Sequence, residues 1–245
     1  MTWLLAPLAF AAELVDSSLG MGYGTNLVPI LLLLGYSPAQ VVPAVLFSEL
    51  LTGFWAAHWH GKVRNVEWRG AALKVALLLG GLSIFGAVFG VFAAEHLSGL
   101  TIRAYIAGVV ILMGLLILFR KRRAQLSWKG LSGLGIVAAF NKAVSGGGYG
   151  PLVTSGQVNC GVPTKQAIAV TSLAEGFTCF VGLVAYLIAG QLDASLFAPL
   201  VVGALASVPF SAWIVRRLPE RAFTCFVGVA VLILGLVSLW KEVIT

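Results

Sequence analysis

Glu49 and Glu175 each fall near the middle of a long apolar run, and Lys142 sits in a third such region beside Asn141. An ionised side chain at that depth is costly, so each carboxylate is expected to be protonated or paired. Two readings are open for the acids. Glu49, Glu175 and Asp16 either carry protons as coupling groups or anchor interrupted backbone by hydrogen bonds. Lys142 is read either as an anion ligand or as a structural cation that snorkels or pairs with an acidic neighbour, Asp16 across the two halves being one choice. Glu13 shares the ambiguity of Asp16.

Two glycine clusters lie beside these residues: Ser17-Ser18-Leu19-Gly20-Met21-Gly22-Tyr23-Gly24 and Ser145-Gly146-Gly147-Gly148-Tyr149-Gly150-Pro151. A shift of 126 residues aligns Gly20 with Gly146, Gly22 with Gly148, Tyr23 with Tyr149, Gly24 with Gly150 and Glu49 with Glu175, without a gap. Irregular backbone at membrane depth is tolerated only inside protein or beside water. Paired glycine interruptions at matching positions of two halves point to a transport site near the midplane. A helix starting at each tip would aim its free N–H groups and positive dipole end into the bundle, which favours an anion. Pro151 suits the first turn of such a helix. The candidate substrate-binding set is therefore Ser18, Gly20, Gly22, Tyr23, Gly24, Asn141, Lys142, Ser145, Gly146, Gly147, Gly148, Tyr149 and Gly150. The competing reading makes the glycines close-packing points between helices.

The elements that must position these residues follow from composition. The chain is 59% hydrophobic and 10% charged, with a mean hydropathy of +0.98, too apolar for a water-soluble domain. A helix needs about 20 apolar residues to cross a bilayer. Such runs occur at 38–57, 70–93, 101–119, 164–188, 194–215 and 222–240, with interrupted regions at 3–34 and 130–160. The start of the chain lacks the basic residues of a signal peptide and is kept as structure. If each interrupted region is a re-entrant hairpin, 13 Lys/Arg lie in cytoplasmic loops and 2, Arg103 and Lys241, outside. If each crosses once, the split is 10 to 5. The first arrangement is preferred. The fold expected is an all-α integral membrane protein of two inverted repeats, 1–123 and 127–245, each a broken or re-entrant Gly-rich segment plus three transmembrane helices.

The net charge of +7 is explained by this loop bias, so nucleic acid is not an expected partner. Cys160, Cys179 and Cys225 lack metal-ligand spacing and are read as packing residues, and no metal or cofactor is implied. His58, His60 and His96, with Trp55, Trp59, Trp68 and Trp128, fall near span ends and are expected at the interface.

On the two glycine openings and the glutamate that follows each, the chain resembles the sulfite exporter TauE/SafE family of bacterial membrane permeases, over essentially its whole length. The resemblance implies a multi-pass cytoplasmic-membrane transporter, not an enzyme, that moves sulfite, sulfoacetate or a similar small sulfur-containing anion, commonly outward. The site chemistry agrees, since three oxygen acceptors match several backbone donors and one lysine. An inside-negative potential drives an anion outward with about 2.3 kcal/mol per charge per 100 mV. Net export thus needs no coupling, whereas uptake would. An anion channel, or a carrier of a carboxylate or small cation held by Glu49, Glu175 and Asp16, remain the alternatives. The partners expected are a small anion and the lipid bilayer, with a homo-oligomer left open.

Overall fold

A computed structural model describes residues 2–119 and 127–215, with Val229, Leu232, Ile233, Leu236, Val237, Leu239 and Trp240 beyond them. The rest of the expected span 222–240, the basic residues Arg120 to Arg123, Arg216, Arg217, Arg221 and Lys241, and Cys225 lie outside the described residues. The described residues form helices and short connections, with no strand among them: α1 Leu5–Leu19, α2 Tyr23–Leu33, α3 Pro38–Lys62, α4 Ala71–His96, α5 Gly99–Leu118, α6 Trp128–Ser145, α7 Tyr149–Asn159, α8 Thr164–Ile188 and α9 Phe197–Ile214. Four of these, α3, α4, α8 and α9, are long and apolar enough to cross a membrane.

Local chemistry sets the boundaries. Ser37 caps α3 by a capping box with Gln40, ahead of Pro38 in the first turn. Ser98 and Ser127 accept the N–H groups of Thr101 and Gly130 to cap α5 and α6. α1 and α6 both end on a left-handed glycine, Gly20 and Gly146, each with φ of 68°. The 126-residue offset recurs in the elements themselves: α2 maps onto α7, and α3 onto α8, with the same limits.

The packing is inside-out compared with a soluble protein. α4 buries Gly80, Ser83, Gly86, Ala87 and Gly90 while exposing Leu77, Ile84, Phe85, Val88, Phe89 and Phe92, as expected for small residues between helices and bulky ones toward lipid. A Cβ on Gly86 or Gly90 would stand 2.3 Å from the Ile136 carbonyl oxygen or 2.6 Å from that of Phe140, so α4 runs alongside α6, in the same direction, at backbone contact. In the matching place α9 runs along α1, where a Cβ on Gly203 would meet the Ala6 carbonyl oxygen at 2.0 Å. Each broken region is thereby clasped by a long helix of the other half.

α3 and α8 cross the middle in opposite directions. Leu46 packs on Gly182, whereas Gly53, one turn and more further along α3, packs on Ser172 and Gly176. Phe54 meets Phe177 edge-on at 5.2 Å. α6 and α7 form a hairpin: Gly130 near the start of α6 lies against Cys160 just past the end of α7, and Leu134 covers Gly156. α5 lies against α2 and α7.

His60 departs from the interfacial placement expected of it. It is fully buried, with Nε2 3.0 Å from the Ser17 carbonyl oxygen and Nδ1 2.9 Å from Asn65 Nδ2. Because the Asn65 amide nitrogen can only donate, Nδ1 accepts and Nε2–H donates to Ser17. Asn65 also donates to the Ala212 carbonyl at 3.0 Å, so the pair ties the ends of α1, α3 and α9 together. Hydropathy locates a span end but does not reveal that a loop residue folds back to satisfy it.

Candidate functional site

The two glycine tips meet at the centre of the molecule. A Cβ on Gly24 would stand 1.9 Å from the Gly146 carbonyl oxygen, and one on Gly150 would stand 2.6 Å from the Met21 Cα. Backbone therefore crosses backbone, which only glycine permits at these separations. The tip donors are held by the protein's own oxygens. Tyr23 N–H, at the start of α2, donates to Asp16 Oδ1 (3.0 Å), Gly148 N–H to Thr25 Oγ1 (3.0 Å) and Gly147 N–H to Ser145 Oγ (3.2 Å). Asn141 donates to the Gly147 carbonyl (3.1 Å) and accepts from the Tyr105 hydroxyl (2.8 Å), which fastens α5 to the second tip.

Beside the tips lies a charged centre. Lys142 is 1% exposed and its ammonium donates to Glu49 Oε2 on α3 and to Glu175 Oε1 on α8, the latter at 2.8 Å. Asp16 joins them: one oxygen from each of Asp16, Glu49 and Glu175 lies within 4.8 Å of the other two. Glu13 accepts from Ser17, and from Thr52 at 3.2 Å. The Tyr23 hydroxyl shares a 2.8 Å hydrogen bond with Ser48. Glu49 Oε1 and Ser18 Oγ are buried and, among the described residues, have no hydrogen-bond partner. Three buried carboxyl groups, Asp16, Glu49 and Glu175, thus gather at one buried ammonium, two of whose three N–H donors are taken by the glutamates.

Every residue of the sequence-derived set is buried here, and the two tips, Lys142 and the three acids Asp16, Glu49 and Glu175 come together. The partner of Lys142 is not Asp16, which is turned to the Tyr23 N–H, but the repeat-related pair Glu49 and Glu175. Sequence reasoning passes over a set of polar side chains that hold the tips. Thr25 is one. On the other side, Thr154 donates to the Gly20 carbonyl (2.5 Å) and contacts the Thr171 hydroxyl (2.8 Å), which accepts from Gln157 Nε2 (2.7 Å). A signal for them exists, since each is a polar residue inside an apolar stretch. None has a polar counterpart at the 126-residue offset to draw attention to it.

Comparison with known proteins agrees with this architecture. The chain is 26% identical over 254 residues to the probable membrane transporter protein YtnM of Bacillus subtilis (strain 168), an alignment covering 98% of this chain and 83% of that protein. The model of the family described as sulfite exporter TauE/SafE matches residues 5–238. With its paired glycine tips, buried ionic centre and apolar spanning helices, this chain belongs to the sulfite exporter TauE/SafE family of membrane transporters.

Proposed function

We propose that this transporter moves a small sulfur-containing anion, sulfite or a sulfonate such as sulfoacetate, outward across the cytoplasmic membrane by alternating access. The observation that carries the reading is the position of Lys142, a fully buried ammonium between Glu49 and Glu175 and beside the two glycine tips. In the state described, Asp16 Oδ1 accepts the Tyr23 N–H, and two glutamates hold the ammonium, as oxygens of a bound oxyanion would. Substrate binding is an exchange of these internal oxygens for external ones. A displaced Glu49 or Glu175 is left without its counter-ion at membrane depth and takes up a proton, so anion entry and protonation are linked.

The two halves are read as inverted repeats, 1–123 and 127–245. The opposite directions of α3 and α8 support this, because equivalent helices that pack antiparallel are related by an axis lying across them, in the membrane plane.

Flux of sulfite and sulfoacetate into proteoliposomes, with membrane potential and pH gradient set independently and taurine and sulfate as comparison solutes, tests the proposal. Saturable flux that loses its dependence on the pH gradient in Glu49→Gln or Glu175→Gln is the expected result. A second reading is favoured by the closeness of the Asp16, Glu49 and Glu175 oxygens, which suits a small cation. Absence of sulfur-anion flux together with saturable Na⁺ flux would replace the first reading with that one.

A further inference from the structure

A helix that stops at a buried tip leaves carbonyls of its last turn without intrahelical donors, and a dry carbonyl without a donor is costly. Both broken helices meet this with a side chain from the end of a central helix. His60, near the end of α3, donates from Nε2 to the Ser17 carbonyl of α1 at 3.0 Å, and the Tyr186 hydroxyl, near the end of α8, donates to the Ala143 carbonyl of α6 at 2.9 Å. Ser17 and Ala143 are 126 residues apart, and so are His60 and Tyr186. The backbone that follows repeats as well. Asn65 N–H donates to the His60 carbonyl (2.9 Å) and Gln191 N–H to that of Tyr186 (3.0 Å), across a left-handed residue, Arg64 with φ of 60° or Gly190 with φ of 68°. Because α3 and α8 run in opposite directions, the two bonds sit at opposite ends of the molecule, His60 at the end of the basic loop that begins at Lys62.

The tips are latched alike but not enclosed alike. A Cβ on Gly20 would meet Thr154 Oγ1 at 2.6 Å and Ile168 Cα at 3.0 Å, whereas one on Gly146 would meet their equivalents, Val28 and Val42, at 3.0 and 3.5 Å. Thr154 donates to the Gly20 carbonyl, a bond that Val28 cannot make. At the Tyr186 end a cavity of about 400 Å³, with Val42, Val144, Tyr186 and Gln191 in its lining, reaches the latch, and Gln191 is half-exposed. Their equivalents at the other end, Ile168, Ser18, His60 and Asn65, are all buried. Asn65 is tied there to the Ala212 carbonyl, and Ser18 Oγ has no hydrogen-bond partner among the described residues. The first set therefore shows what the second would line if its latch were open.

We propose that His60 and Tyr186 are the paired latches of the transport cycle, each releasing its broken helix in turn, and that release of His60 opens a second passage to the site between Ser18, His60, Asn65 and Ile168. A freed Ser17 or Ala143 carbonyl needs water in place of the side chain, so a latch breaks only as its own end hydrates. The inference rests on the alternating-access reading, but its readout needs no substrate. In a variant freed of Cys160, Cys179 and Cys225, Ser18→Cys and Val144→Cys report the two ends through labelling by a membrane-impermeant maleimide, applied to cells and to inside-out vesicles. The expected result is labelling of the two cysteines from opposite faces, with Val144→Cys the faster. His60→Phe then speeds Ser18→Cys and slows Val144→Cys, and Tyr186→Phe does the reverse, each by about fivefold, the population shift that loss of one buried hydrogen bond brings. Tyr186→Phe, which deletes a single oxygen, decides alone if His60→Phe does not reach the membrane. Labelling of both cysteines from one face, or a change of the same sign at both in either variant, overturns the proposal, as does no change. Absence of sulfite flux with the reciprocal shift intact would refute the anion reading and leave the latches standing.

Discussion

Glu49 and Glu175, 126 residues apart and equivalent in the two halves, direct their carboxylates to a single residue that has no basic equivalent, Lys142. The position 126 residues before it is Asp16. The two halves thus supply a matched pair of acids, and at the third position one half supplies an acid and the other a base. Positions related by the 126-residue offset differ in charge at the buried centre where Lys142 meets Glu49 and Glu175.

Removing the ammonium should therefore be worse than removing one acid. Lys142→Met leaves two carboxylates facing each other in a buried site, and breaking such a pair costs about 3–5 kcal/mol. A large fall in thermal stability in detergent is expected, together with loss of sulfite binding. The double variant Lys142→Met/Glu175→Gln should recover part of the stability and none of the binding, which separates the structural contribution of the lysine from its role toward the anion.

The crossing of the tips predicts a sharp contrast between glycines. Gly24→Ala would place a methyl group 1.9 Å from the Gly146 carbonyl oxygen, so folded yield or flux should collapse. A methyl group added at Gly108 on α5 would meet no atom within 4 Å, and Gly108→Ala should be neutral or stabilising by up to about 1 kcal/mol. Expression level and flux of the two variants, measured side by side, check both.

Asn65 supplies the proton that reaches His60 Nδ1. Asn65→Ala leaves that nitrogen buried and the Ala212 carbonyl without its side-chain donor, at a cost of about 1–3 kcal/mol. A lowered melting temperature with unchanged substrate affinity is expected, and a change in affinity instead would make His60 part of the site.

Thr25 offers a finer test of the tip. Thr25→Val keeps the shape and removes the acceptor of the Gly148 N–H, so the second tip loses an intramolecular tie. If that N–H is a substrate donor in another state, sulfite should bind more tightly in Thr25→Val, and isothermal titration reads the change directly.

Much of this is legible in the sequence, and the reasons are specific. Glycine is the residue that lets backbone cross backbone, so two glycine clusters in register locate both tips. The offset of 126 carries over to helix limits, because α3 and α8 begin and end on equivalent residues. What spacing does not encode is which of three nearby acids holds a lysine. Asp16, Glu49 and Glu175 all converge, and the choice is made by the Tyr23 N–H, which takes Asp16 for itself. His60 escapes for a related reason, since its partners come from α1 and a loop residue that hydropathy treats as solvent-facing. The Thr154, Thr171 and Gln157 chain carries no repeat signature, and its one sequence signal, polarity inside an apolar stretch, does not say that Thr154 donates to the Gly20 carbonyl.

The clasp of α1 by α9, and of α6 by α4, bears on how the chain is made. α1 is synthesised before the other described α-helices, yet the helix that packs along its small-residue face, α9, comes after all of them. Until α9 arrives, the face of α1 around Ala6 has no long helix against it, although Glu13 and Asp16 can already meet Thr52 on α3 and the Tyr23 N–H on α2. The contact that clasps α1 therefore cannot form until α9 has been made, and a chain stopped before α9 would lack it.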